Sequence, residues 1–345
     1  MKIAYIVPSL ANRGPIRVVH DLVEVMLAHG HKCVVFYLTD ICELTFRCQT
    51  EKINFLKSFD FYSFDVVHSH GLRPDIYVCL HKPLRCSTLC ISTMHNFIFK
   101  DLATQYNRFL SLVVGNLWLS CLVRHNKIVV LSHCGKDYYR AWFPLNKLCV
   151  AYNTTMIEYG NELTLKEKRE LLRFKGGDLL IGVNALLTTG KGIDQIIKAL
   201  PLVNDIKLWI VGDGKVMADL HKLALRLKVN NRVYFAGYRL DAYRYLPYYN
   251  VYAMPSRSEG FGLSLLEAAA CRIPAICSDI AVFKEIFTSN EVAFFTLEDT
   301  SSLVEAIKYA MNNLELAQRM YQKYLDCYSP EKFYERYISI YQSLL

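Results

Sequence analysis

The chain has 345 residues, 52% of them hydrophobic and 21% charged, which excludes a disordered polypeptide and leaves room for two domains, each with its own core. The net charge of +8 is unevenly placed: residues 1–150 hold 17 Lys and Arg against 10 Asp and Glu, whereas residues 151–345 hold 23 against 22. A basic first half suits an anionic partner such as a phospholipid surface or a pyrophosphate-linked acceptor, or serves solubility alone; no aromatic–basic motif supports nucleic acid.

The N-terminus carries one Lys and then Ile3 to Val7 before Pro8, too short and too weakly charged for a secretory signal, and it reads as a first strand. The other strands expected in the first half are Cys33–Leu38, Asp65–His68, Leu89–Thr93, Lys127–Leu131 and Leu148–Ala151, with a helix from about Pro15 to His29 ended by Gly30. The uncharged run from Phe109 to Val123 has fifteen residues, short of the roughly 18–20 that span a bilayer. With Arg108 and Arg124 at its ends it reads either as an interfacial helix beside anionic lipid or as a buried helix of the first sheet, and Phe97 to Lys127 is the candidate membrane region. Twelve Cys fit no disulfide framework, and the nearest pair, Cys86 and Cys90, has no companions at zinc spacing, so reduced and mostly buried thiols of a cytoplasmic protein are expected.

From Thr154 the pattern becomes charged, with Lys166-Glu167-Lys168-Arg169-Glu170 closing on Gly176-Gly177, and we read residues 156–177 as an interdomain region. A second series of strands follows: Leu179–Asn184, Lys207–Val211, Arg232–Ala236, Val251–Met254, Ala275–Cys277 and Ala293–Phe295. The expected division is therefore an N-terminal Rossmann-like domain (1–155), the interdomain region, a C-terminal Rossmann-like domain (178–328) and a terminal helix (329–345). That helix opens on Ser329 and Pro330, and places Phe333, Tyr337 and Tyr341 at helical spacing; this apolar face needs a covering surface, for which the N-terminal domain is one candidate.

The most informative stretch is Pro255-Ser256-Arg257-Ser258-Glu259-Gly260-Phe261-Gly262-Leu263-Ser264-Leu265-Leu266-Glu267-Ala268. A strand runs into a glycine-punctuated turn, which opens a helix. Glycines let backbone approach a ligand closely, and a fresh helix N-terminus offers N–H groups to an anion. Glu259 and Glu267 on either side would accept hydrogen bonds from hydroxyls and repel phosphate. A ligand with hydroxyls at both ends and phosphate in the middle fits, as a nucleotide-sugar does.

Together with Gly190-Lys191-Gly192-Ile193-Asp194, Trp209-Ile210-Val211-Gly212-Asp213-Gly214, Val233-Tyr234-Phe235-Ala236-Gly237, Pro274 and Glu285, the ordered set resembles the retaining glycosyltransferases of family 4. The resemblance runs over nearly the whole chain and is specific from about Asn184 to Glu285. It implies an α/β chain of the GT-B fold, two Rossmann-like doubly wound domains facing across a cleft. It further implies sugar transfer from a nucleoside-diphosphate donor bound by the nucleotide-sugar-binding domain (178–328), a UDP-sugar favoured over a GDP-sugar, to a glycan or lipid-linked acceptor on the acceptor-side domain (1–155), in bacterial surface polysaccharide synthesis. No metal is implied.

Carried over residue by residue, Glu259 faces the transferred sugar, Glu267 holds the ribose hydroxyls and Lys191 meets the diphosphate. Backbone N–H groups of Gly260, Phe261, Gly262 and Leu263 complete the cradle, while Gly14 and His95 approach the donor from the N-terminal domain. Three departures stand out: Ala185 where the family commonly has a diphosphate-binding Arg, Arg272 where it often has Gly, and Ala281 to Lys284 where a Gly-Gly is frequent. Pro15 also replaces a second Gly beside Gly14. Two further readings stay open. His68 and His70 alternate on one strand, as two metal ligands would, without an evident third. The missing Arg leaves room for a GT-B epimerase, hydrolase or silent nucleotide-sugar-binding subunit. A dinucleotide oxidoreductase would need a third Gly where Met217 stands.

Overall fold

Short β-branched and aliphatic runs, each followed by a helix, build two all-parallel sheets in the computed structural model, which describes residues 1–105, 107–157, 160 and 162–343. The chain divides into two units, Met1–Thr154 with Tyr328–Leu345, and Thr155–Cys327.

The first unit contains β1 (Lys2–Val7), β2 (Lys32–Tyr37), β3 (Gln49–Lys52), β4 (Val66–His70), β5 (Leu89–Met94), β6 (Lys127–Val130) and β7 (Leu148–Val150), in the order β3-β2-β1-β4-β5-β6-β7. Crossovers are α1 (Gly14–Ala28), α2 (Leu72–His81), α3 (Ile98–Gln105), α4 (Arg108–Leu122) and α5 (His133–Tyr139). Both β4 and β5 are buried along their whole length, as strands covered on two faces must be. Strand β3 was not expected, because Gln49-Thr50-Glu51-Lys52 is polar and fully exposed; pairing with β2 at the sheet edge defines it, not burial.

The C-terminal helix (Pro330–Gln342) completes this unit, burying Phe333, Tyr337 and Tyr341. Tyr334 stacks on His29 with ring centroids 3.5 Å apart, and its hydroxyl lies 3.1 Å from His31 Nε2. Helix α4 turns Ser111, Gly115, Leu119 and Leu122 inward, with Gly115 under the Phe99 ring. Its outer face stays apolar: Phe109 is 77% exposed, Leu112 50% and Leu117 55%. Among the described residues, no helix is long and apolar enough to cross a membrane.

The second unit contains β8 (Leu179–Asn184), β9 (Ile206–Val211), β10 (Val233–Gly237), β11 (Val251–Met254), β12 (Ala275–Ser278) and β13 (Ala293–Phe295), ordered β10-β9-β8-β11-β12-β13. Its helices are α6 (Leu165–Lys175), α7 (Ile193–Ala199), α8 (Met217–Arg226), α9 (Leu263–Ala270), α10 (Ala281–Ile286), α11 (Thr300–Asn312) and α12 (Glu315–Tyr328). Ile181, Val183, Leu208, Ile210, Val251 and Ile276 pack with Ile196, Leu303 and Ile307 into its core.

Residues 156–177, read as interdomain, differ from that expectation where they are described: 165–175 form α6 within the second unit. Thr164 and Glu167 cap it reciprocally, Leu171 is buried, and Phe174 tilts against Trp209. The charge run that suggested a linker winds right round this helix: Lys166 and Arg169 are exposed, whereas Glu167 and Glu170 accept hydrogen bonds from the Tyr245 and Tyr234 hydroxyls of the same unit. Residues 158, 159 and 161 of the stretch lie outside the described residues.

Candidate active site

In each sheet the strand order reverses once, beside β1 in the first unit and beside β8 in the second, and ligands of open parallel sheets bind beyond the strand ends at such a reversal. In the second unit that point lies between β8 and β11, whose following loops carry Lys191 and Glu259. The end of β8 is fixed first. Asn184 Oδ1 accepts from the Tyr249 hydroxyl at 3.0 Å, and its Nδ2 donates to the Ala242 carbonyl at 3.0 Å. Tyr249 fits only because residue 182 is glycine: a Cβ there would lie 2.0 Å from its ring.

Beyond Asn184 the chain is stitched to the loop after β9. Ala185 N–H donates to the Val211 carbonyl (3.0 Å) and Leu187 N–H to that of Asp213 (2.8 Å). Gly212 and Gly214 permit this: a Cβ on either would lie 1.8 Å from the Ala185 carbonyl oxygen or 2.3 Å from that of Leu187. The Gly-Asp-Gly that partly matched a dinucleotide fingerprint is thus required by the chain's own backbone.

A tight turn, Thr189–Lys191, then leads through Gly192 (φ +62°) into α7. Lys191 Nζ donates to Glu259 Oε1 at 2.5 Å, and Ser256 Oγ donates to the same oxygen at 2.7 Å. Ser256 is itself held by Ser278, whose hydroxyl donates to its carbonyl at 2.5 Å. Arg257 ties the two loops together. It forks onto both carboxylate oxygens of Asp194 (2.9 and 3.0 Å), reaches Glu298 Oε1 and the Thr189 carbonyl (2.5 Å each), and its N–H donates to the Gly190 carbonyl (2.8 Å). Burial alone would raise the Asp194 carboxyl, but hydrogen bonds from Arg257 and Lys198 outweigh it and hold the group below the usual carboxylate range.

Gly262, at φ +107°, opens α9, whose N-terminus has no side-chain cap; a Cβ on Gly262 would press within 2.9 Å of the Phe283 ring. Phe261 is buried, and Leu263 is the first helical residue. Glu267 follows one turn on, only 8% exposed. The buried Tyr252 hydroxyl is pushed well up, chiefly by burial and also by the charges of Glu267 and Glu259, which places both carboxylates about one tyrosine. The second unit therefore gathers Lys191, Glu259, Glu267 and the Gly260–Leu263 backbone at one sheet end.

The two remaining predicted residues belong to the first unit. Gly14 begins α1, with Pro15 in its first turn. His95 directly follows β5, and its Nε2 lies 3.0 Å from His70 Nδ1. Burial pushes the His95 imidazole down to about 3. His68 is hydrogen-bonded on both nitrogens, to the Tyr341 and Thr93 hydroxyls at 2.8 Å each. Among the described residues there is no group of three or more His, Cys, Asp or Glu placed to hold a metal ion.

At the departures from the family pattern, Ala185 uses its backbone for the contact with Gly212, and Arg272 closes α9. Its N–H donates to the Ala269 carbonyl (3.0 Å), that of Ile273 to Ala268 (2.9 Å), and its guanidinium lies 4.1 Å above the Tyr321 ring. Arg272 holds a left-handed conformation (φ +56°) that glycine would adopt without strain. Lys284, within α10, pairs with Asp279 at 3.1 Å. Sequence reasoning missed Asn184, Ser256 and Arg257, all of which shape the site. The only local signal was an Arg two residues before the turn Glu; its carboxylate partners lie far away along the chain.

Residues 165–324 match the family described as glycosyl transferases group 1. The O-antigen biosynthesis glycosyltransferase WclY of Escherichia coli is 35% identical over 100% of this chain and 99% of its own length. The chain belongs to the group 1 glycosyl transferases. The fold agrees with that membership. HepE of Anabaena, solved with UDP and glucose, superposes with a TM-score of 0.81 at 16% identity, covering 99% of this chain and all of HepE. Sucrose-phosphate synthase of Thermosynechococcus elongatus gives 0.80 at 18% identity, covering 99% of this chain and 98% of the synthase. The protein is thus a glycosyltransferase with the two Rossmann-like domains of the GT-B fold.

Proposed function

We propose that this glycosyltransferase works with retention, moving a hexosyl or N-acetylhexosaminyl group from a UDP-sugar, in preference to a GDP-sugar, to a glycan or lipid-linked glycan of bacterial O-antigen or lipopolysaccharide. The observation that carries the reading is the juxtaposition of Lys191 and Glu259 beside the uncapped start of α9, with Glu267 one turn further on. A full-length relative named for O-antigen biosynthesis and a fold neighbour holding UDP and glucose support it.

In this reading the diphosphate lies against Lys191 and the N–H groups of Gly260 to Leu263, Glu267 accepts the ribose hydroxyls, and Glu259 faces the sugar. Gly14 and His95 keep their expected donor-contacting roles. Without donor, Lys191 and Glu259 neutralise each other; a diphosphate that takes the Lys191 ammonium frees Glu259 Oε1 for sugar hydroxyls and for positive charge developing at the anomeric carbon. Charge-assisted hydrogen bonds of this kind contribute roughly 1.5–3 kcal/mol each. In same-face transfer the departing phosphate oxygen takes the acceptor's proton, so no side chain acts as base, and no metal is needed.

The outer face of α4, with the basic residues near its end, gives the protein an anionic-membrane surface and a peripheral place at the cytoplasmic side. Lys82, Arg124 and Lys147 there donate to carbonyls rather than to carboxylates. The test is a thermal-shift panel of UDP, GDP and ADP, followed by transfer assays with the corresponding sugars and with EDTA. UDP should shift the melting temperature most, and chelation should leave transfer unchanged. Glu267→Ala should weaken UDP binding, while Glu259→Ala chiefly lowers turnover. No shift with any nucleotide, or undiminished transfer by both variants, would sink the assignment.

A further inference from the structure

A second histidine stands behind His95. His70, on β4, is 1% exposed, and its Nδ1 is 3.0 Å from His95 Nε2. Its other ring nitrogen, Nε2, is buried with no hydrogen-bond partner. A neutral imidazole carries one N–H, and the two nitrogens of His70 stand in unequal surroundings. A proton on Nε2 would leave a buried donor unpaired, whereas a proton on Nδ1 makes the bond to His95 and leaves only a lone pair without a partner. Neither ring is charged, since burial pushes both imidazoles far below their ordinary range.

We propose that His70 is a positioning residue: its Nδ1–H donates to His95 Nε2, so that His95 carries its own proton on Nδ1 and meets the substrate as a hydrogen-bond donor. The remaining His95 nitrogen then selects an acceptor oxygen, such as a sugar hydroxyl oxygen or a phosphoryl oxygen, and not a donor group. This rests on the reading of His95 as a substrate-contacting residue. His68, its ring centroid 4.2 Å from that of His70, is already bonded on both nitrogens, so His70 is backed by a ring with no free site to compete for it.

Two measurements test the assignment. In the intact protein with ring-15N histidine, long-range proton–nitrogen spectra should show His95 neutral and protonated at Nδ1. His70→Asn keeps a side-chain N–H near the Nδ1 position, and His70→Leu is its near-isosteric counterpart without one. His70→Leu should lower kcat about ten- to hundredfold with a smaller change in donor KM, His70→Asn should recover most of it, and His70→Leu should add nothing in a His95→Ala background. An Nε2-protonated His95, or equal turnover of His70→Leu and His70→Asn, would overturn the proposal. If His95→Ala alone transfers normally, it is the substrate-contacting role of His95 that fails, while the spectrum still decides which ring donates.

Discussion

At the scale of single residues, the site depends on an arginine that touches no reacting group in the proposed reaction. Arg257 holds Asp194, Glu298 and the Thr189 carbonyl at once, and so fixes the distance between the turn bearing Lys191 and the loop bearing Glu259. Replacing it by Ala leaves Asp194 half-buried beside nothing that forks onto it, which should cost about 1–3 kcal/mol of stability and lower turnover with little change in UDP affinity. Arg257→Lys keeps the charge but loses the planar fork, so it should recover stability more than turnover. Kinetics of the two variants beside chemical unfolding would check this; a purely structural arginine would lose stability in both and turnover in neither. That Glu259 and Glu267 share one sheet end was legible in the sequence because the signal is local: strand, glycine turn and helix follow one another from Val251 to Ala270, and Lys191 sits in a like succession after β8. Arg257 was not, because a carboxylate 63 positions away has no mark in a single sequence. The pairing of His70 with His95 was hidden for the same reason, joining adjacent strands that are separated in the chain by α2.

At the scale of elements, glycines and an exposed helix face decide more than the strands do. The strand runs were readable from hydrophobic pattern, whereas β3 was not, since an exposed polar edge strand has no pattern to read. Helix α6 was masked by its charges, which looked like a linker, although Glu167 and Glu170 among them bond to Tyr245 and Tyr234 of the same unit. The Gly212–Gly214 loop gives a sharp expectation: Gly212→Ala should destabilise the second unit by on the order of 3 kcal/mol, because the new methyl meets a backbone carbonyl that no rotamer change can move. Thermal melting would show it, and a variant as stable as the parent would contradict the close approach. For α4, sedimentation with vesicles containing anionic phospholipid should recover the protein, and neutral vesicles should not. Replacing Phe109, Leu112 and Leu117 together by Ser should cut that binding about tenfold or more without lowering the melting temperature, since all three side chains face outward.

At the scale of the whole molecule, the first unit carries a pH dependence set by buried imidazoles. His68, His70, His95 and His125 are all pushed down by burial, the last two to about 3. Between that value and the ordinary range near 6.5 the unfolded chain binds protons that the folded one does not, so stability rises with pH through this window and is lost as pH falls. The fully buried Asp75, bonded by Ser69 and Trp118, is pushed up to about 7 and works the other way between about 4 and 7. His20, raised chiefly by its hydrogen bond with Asp21, also opposes the trend, but four imidazoles outweigh one carboxyl and one imidazole. Melting should therefore be clearly lower at pH 5 than at pH 7.5, each depressed imidazole contributing about 1.4 kcal/mol per pH unit within its window. Equal melting temperatures at the two pH values would show that these rings are not held neutral.

The C-terminal helix has a further consequence, for synthesis. Its residues meet the first sheet through Tyr341 on His68 and the end of α1 through Tyr334 on His29, yet they are translated only after the whole second unit. The first sheet to leave the ribosome is therefore the last to be finished, and the second unit can close around its own core while the first still waits for its final helix. An early stop within residues 328–345 would be felt in the unit of residues 1–154, on the far side of the second unit along the chain.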